Sequence, residues 1–157
     1  MKKLVLLIVL CTCGLLCETT SAQIRFRVNI DTQPIWGPVG YDHVDNYYLP
    51  DIQAYYNVPS RQYTYQVNGR WTTRATLPSK YRNYDMYSTR KVVMNENRPY
   101  MHHGDNVSKY GSPNEHSNQQ SIRDSHDSKY FVNKNHPEHS KMMNNRNQGR
   151  DKGRGNN

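Results

Sequence analysis

The sequence predicts a mainly β fold: a small antiparallel sheet built from hairpins, preceded by a signal helix and followed by a disordered polar tail. Three observations carry this. The stretch from Ile52 to Ala75, IQAYYNVPSRQYTYQVNGRWTTRA, alternates large and polar side chains around a Pro-containing turn and an Asn-Gly pair, the pattern of three short strands. Thirteen tyrosines and two tryptophans supply bulky side chains suited to a pleated surface. Hydrophobic residues make up only 34% of the 157, below the roughly 45–50% apolar share of an ordinary domain, so part of the chain has little to bury.

The apolar residues divide the chain into a leader (1–22), a foldable segment (23–103) and a polar tail (104–157). Lys2 and Lys3, an apolar run from Leu4 to Leu16, and Thr20-Ser21-Ala22 follow the order of a secretory signal cut after Ala22. Two readings compete with it. The run of about 13 residues is short for an uncleaved anchor, which needs roughly 20. Leu16 stands before Cys17, where a lipid-attachment signal carries a small residue. The expectation is export to the periplasm, outer envelope or extracellular space, with no transmembrane segment after cleavage.

Cys11, Cys13 and Cys17 all lie in the leader. A mature chain without thiols has no disulfides, thiolate metal ligands or cysteine nucleophiles, and its fold rests on packing alone. The formal net charge is +8, and removing Lys2, Lys3 and Glu18 leaves +7. Such a balance favours an anionic lipid surface or an acidic or phosphorylated polysaccharide as partner, beside an envelope protein. It is too dispersed for a specific nucleic-acid site.

Taken in order, Ile24, Phe26, Val28 and Ile30 alternate with Arg25, Arg27 and Asn29, which predicts a first strand with one buried face. Pro34, Gly37, Pro38, Gly40 and Pro50 then predict an irregular packed connector. Ile52, Ala54 and Tyr56 alternate with Gln53, Tyr55 and Asn57 to form the next strand. For the hairpin around Asn68-Gly69, a two-residue type I′ turn mixes polar and apolar side chains on both faces. A three-residue loop with a bulge at Gly69 instead sets Tyr65 opposite Trp71 and gathers Tyr63, Tyr65, Trp71 and Thr73 on one face. Burial of a single face selects the bulged register. Beyond Leu77-Pro78, Tyr81, Tyr84 and Tyr87 fall three apart, as in an irregular helix packed over the aromatic face. Residues 90–94 read as a final strand, and from Gly104 onward the polar composition predicts disorder.

The segments WGPVGYDHVDNYYLPDIQAYYNV, YTYQVNGRW, LPSKYRNYDMYSTRKVVM and RPY, taken together and in order, resemble an uncharacterised family of small secreted proteins from Bacteroidota-type Gram-negative bacteria. That family has a signal peptide, a Tyr-rich segment ending in Gly-Arg-Trp and a basic polar tail. The resemblance covers about Trp36 to Tyr100. It implies export and brings with it no activity and no site residues.

Seryl, zincin, P-loop and dinucleotide motifs are absent from the sequence. Asp42, His43 and Asp45 lie close together but match no ligand spacing, and the adjacent His102 and His103 fix no metal geometry. The expectation is a protein with no catalytic residues, no metal site and no cofactor: a non-enzymatic, exported envelope protein with a structural or protein-interaction role. The competing reading is a binding module for glycan or an anionic envelope polymer. Its candidate residues are Tyr55, Arg70 and Arg74, which the bulged register places together on the polar face, where an aromatic ring can stack a sugar and arginines can reach anionic groups.

Overall fold

The computed structural model describes residues 28–111 and 118–154. The expected signal helix, the expected cleavage site and most of the expected first strand lie outside the described residues. Of that strand, Val28 and Asn29 are irregular and Ile30 opens a turn. Ile30 is buried as its alternation predicts, but Val28 is 65% exposed.

Five antiparallel strands form one open sheet: β1 (Asn46–Leu49), β2 (Ala54–Asn57), β3 (Gln62–Val67), β4 (Arg70–Arg74) and β5 (Val92–Met94). Their order across the sheet is β4-β3-β2-β1-β5. The stretch from Ile52 to Ala75 thus supplies three adjacent strands, but the strand between β2 and β5 lies in the expected connector. Asn46-Tyr47-Tyr48-Leu49 is buried throughout. A strand covered on both sides shows no alternation, so period-two reading passes over it. Pro50 ends it and opens a short 3-10 turn, Pro50–Ile52, where its missing N–H costs nothing.

One face, face A, carries Tyr47 and Leu49 of β1, Ala54 and Tyr56 of β2, Tyr63 and Tyr65 of β3, and Val93 of β5. Trp36 from the connector packs against it, as do Leu77, Tyr81, Tyr84 and Met86. A 3-10 turn, Ser79–Tyr81, brings Tyr81 and Tyr84 over this face as their spacing predicts, whereas Tyr87 joins neither face-A cluster and instead stacks on the Arg123 guanidinium, 3.7 Å from its ring centre. Each fully buried side chain on face A contributes about 1.5–3 kcal/mol, and the half-buried ones less. The Tyr47 hydroxyl donates to Gln33 Oε1 at 3.1 Å. A Cβ on Gly37 would come within 2.6 Å of that hydroxyl, so only glycine fits there.

The hairpin register differs from the expectation. Val67 faces Arg70, Gln66 faces Trp71 and Tyr65 faces Thr72. Asn68 (φ 49°) and Gly69 (φ 73°) are both left-handed, which makes a two-residue type I′ turn and excludes the bulge. Its twist matches that of the flanking strands. The premise of a single buried face fails: the opposite face, face B, is also covered, so Trp71 is half-buried there rather than beside Tyr63 and Tyr65.

Residues 118–136 differ from a tail with nothing to bury. Ile122 and Tyr130 pack with Ile30, Ile35 and Val39. Ile122 N donates to Gly37 O at 2.8 Å and Arg123 N to Ile35 O at 2.9 Å, and Ser121 bridges Pro38. Asn133, fully buried, donates to the carbonyls of Ile30 and Gln33 at 3.0 and 2.6 Å. Gln119 pairs with both backbone groups of Lys91, each at 2.9 Å, and so closes the sheet beside β5 in the manner of a strand residue. A helix, His139–Arg154, follows.

The turn yields a direct test. Open space surrounds the Gly69 Cα, so Gly69→Ala suffers only the left-handed backbone and should lose about 1 kcal/mol in urea denaturation. Asn68→Gly should change stability far less. In a bulged turn only the Gly69 substitution would address a left-handed position, and Asn68→Gly would destabilise by loosening a right-handed one.

Candidate functional site

Tyr55, Arg70 and Arg74 do not converge. Tyr55 lies on face B, 2% exposed, stacked on Tyr48 with ring centroids 4.8 Å apart. Arg70 and Arg74 pair with Val67 and Tyr63, so they point to face A at the rim of the sheet, and both are exposed. The bulged register would have placed all three together; the type I′ turn separates them. In the Asp42 group, His43 Nε2 meets Asp45 Oδ1 at 3.1 Å, while Asp42 pairs with Lys129 at 3.0 Å.

Face B is roofed by a lid. A 3-10 turn, Pro99–His102, runs into helix α1 (His103–Tyr110), and the two lay Tyr100, His103, Asn106 and Tyr110 over Tyr48, Tyr55, Trp71, Val92 and Met94. The Trp71 ring lies 5.0 Å from His103 and 5.4 Å from Tyr100. Asn106 donates to the Tyr55 hydroxyl at 3.2 Å and to Pro99 O at 2.9 Å. The Tyr55 hydroxyl stands 3.0 Å from His103 Nδ1. Burial lowers the His103 pKa below its ordinary 6.5, which favours the neutral ring, and the tautomer protonated on Nε2 is the one that accepts the phenol's hydrogen.

Between this lid and the sheet lies a cleft of about 180 Å³. Its floor is polar. Asn57 Nδ2 donates to Asn46 Oδ1 at 2.9 Å, Ser60 Oγ donates to Asn57 Oδ1 at 2.8 Å, and the hydroxyls of Thr64 and Thr73 touch across β3 and β4 at 2.9 Å. Tyr55 and Tyr100 form its aromatic wall, and Asn97, Arg98 and Pro99 its rim.

Arg98 is the unusual member. Its backbone is left-handed (φ 51°, ψ 56°), which costs a non-glycine residue about 1–2 kcal/mol. It also precedes Pro99, which pushes a residue toward extended conformations. Such strain concentrates where geometry serves function. Apart from Tyr55, the cleft residues were beyond sequence reasoning. Thr64 meets Thr73 only in the type I′ register, Asn46 lies in the unexpected strand, and no sequence signal marks Arg98 as left-handed.

The fold and site therefore define a five-stranded antiparallel sheet with a lidded polar cleft on one face. Comparison of the chain with protein-family models, curated proteins and solved structures gives no match.

The two-sided burial narrows the pH range of stability at both ends. On the acid side, the folded His103 pKa lies below the unfolded value, so stability present above 6.5 falls as pH drops through and below it. On the alkaline side, burial pushes Tyr55, Tyr63 and Tyr84 up to about 12, and pushes Tyr47 up further. The contribution of Tyr55, Tyr63 and Tyr84 is complete below the unfolded value of 10.0 and disappears between there and about 12, while that of Tyr47 is lost at still higher pH. Denaturant midpoints should therefore fall at both ends, and His103→Gln should flatten the acid limb alone. Ultraviolet titration should show tyrosinate forming together with unfolding.

Proposed function

We propose that this chain is an exported, non-enzymatic binding module of the cell envelope whose face-B cleft holds a ring of an acidic glycan. The observation that carries the reading is Arg98, held against its backbone preference at the rim of a cleft floored by amides and hydroxyls. Asn46, Asn57, Thr64 and Thr73 offer the mixed donors and acceptors that sugar hydroxyls require. The Tyr100 ring suits the apolar face of a pyranose. A guanidinium binds a carboxylate or phosphate through two parallel hydrogen bonds, which favours a uronic-acid or phosphorylated sugar over a neutral one. The cleft has room for one ring, so the ligand is a chain end or a single residue of a polymer.

Two features of the sequence support the wider setting. The leader pattern of residues 1–22 fits export, and the net charge of +7 that remains without the leader fits residence among anionic envelope polymers.

Isothermal titration of the protein with a short oligogalacturonate and a neutral oligosaccharide of equal length tests the reading. The acidic ligand should bind and the neutral one should bind at least tenfold more weakly, with affinity falling as salt rises. Arg98→Ala should abolish the preference. Arg98→Gly should do the same while leaving stability unchanged or raised by up to about 1 kcal/mol, because glycine accepts the left-handed backbone. Equal affinity for the two sugars, or full binding by both variants, would contradict it.

A further inference from the structure

The two edges of the sheet are finished differently. The Lys91 backbone beside β5 is closed by the Gln119 amide. At the other end, β4 has β3 on one side and no described strand on the other. With Val67 and Arg70 flanking a two-residue turn, Arg70, Thr72 and Arg74 exchange backbone hydrogen bonds with β3. The N–H and C=O groups of Trp71 and Thr73 therefore point outward as two free rungs, the template that an extended segment pairs with.

Charge determines what kind of segment fits. Arg70 and Arg74 both project from this edge on face A, with Thr72 between them. Four residues of strand set them about 13 Å apart. Both are exposed, and neither makes an ion pair with a described residue. A second copy of this edge, paired antiparallel about Thr72, would set Arg70 opposite Arg74 of its partner at both ends. Directly opposed like charges destabilise a strand pair. An extended segment with carboxylates four residues apart meets the same two positions with attraction.

We propose that β4 is a docking edge for an acidic, extended peptide segment of a partner protein, which adds to the sheet as a sixth strand antiparallel to β4 with acidic side chains opposite Arg70 and Arg74. The edge adjoins the Arg98 cleft at Thr73, whose side chain lines the cleft while its backbone points outward, but it takes a different ligand through Arg70 and Arg74 on face A, so either can fail without the other. Backbone pairing supplies the general affinity, and the two arginines set register and partner choice.

The test uses the full protein and a synthetic peptide, Thr-Val-Glu-Val-Thr-Val-Glu-Val-Thr, titrated by fluorescence anisotropy. Three changes should each weaken binding at least tenfold: Gln in place of both Glu, N-methylation of the Val residues flanking the central Thr, and the double variant Arg70→Glu with Arg74→Glu. A peptide with Lys in place of both Glu should bind the double variant. The N-methylated peptide changes nothing in the protein, so misfolding cannot produce its loss. Binding that survives N-methylation would overturn the proposal by showing simple charge adhesion. So would absence of binding, or self-association of the protein that the double variant abolishes, which would mark the edge as an interface between copies of this chain.

Discussion

The constraint on which the rest of the structure depends is in β1. Tyr47 and Tyr48 are adjacent, point to opposite faces of the sheet, and are both fully buried. A central strand with a large aromatic on each side obliges the chain to build two covers. The connector, with Trp36, and the segment carrying Tyr81 and Tyr84 cover one face. The turn and helix from Pro99 to Tyr110 cover the other. The functional geometry follows from the second cover: where the lid meets the polar ends of β2, β3 and β4, Thr64 is buried and Asn57 half-buried against a cavity, and Thr73 lies exposed at its edge. The Tyr48 hydroxyl, buried with no hydrogen-bond partner among the described residues, shows how tightly that aromatic layer is closed. An unpaired buried hydroxyl costs about 1–3 kcal/mol, which the surrounding stacking must exceed.

No cysteine lies among the described residues, and polar side chains do much of the cross-linking. Asn29 donates to Val44 O at 2.7 Å and accepts from Val44 N at 2.9 Å, reproducing with one amide what a strand neighbour would supply. Gln119 does the same for Lys91, and Asn133 ties two carbonyls of the opening turn. Each such amide satisfies backbone groups that would otherwise be buried unpaired. Lys91, 2% exposed, donates its ammonium to Met86 O at 2.8 Å, and burial lowers its pKa to about 8. It holds a loop together through carbonyls rather than through a carboxylate.

These amides also explain which parts of the fold were legible in the sequence. β2, β3 and β4 were readable because their alternation and the Asn-Gly pair carry local information. β1 was not, because double burial removes alternation. The register turns on one premise: with only one buried face, Trp71 must join Tyr65, whereas with two the type I′ turn is free to place it on face B. The strap around Ile122 and Asn133 was hidden for a different reason. Hydropathy reads Asn, Gln and Ser as solvent-seeking, yet here they enter the interior as substitutes for backbone. The cleft combines the first two of these difficulties with another, since it draws on the doubly buried strand, the type I′ register and a left-handed Arg98. Of the residues singled out from sequence, Tyr55 does line it, but as part of a packed wall, while Arg70 and Arg74 belong to the free edge.

The measurement that tests the two-faced sheet most directly is the proton contact map of Trp71 by nuclear Overhauser spectroscopy in solution. The structure predicts contacts from its indole ring to His103, Tyr55 and Tyr100 and none to Tyr63. Contacts to Tyr63 and Tyr65, with none to His103, would restore the bulged hairpin, remove the cover from face B and leave the cleft without its floor.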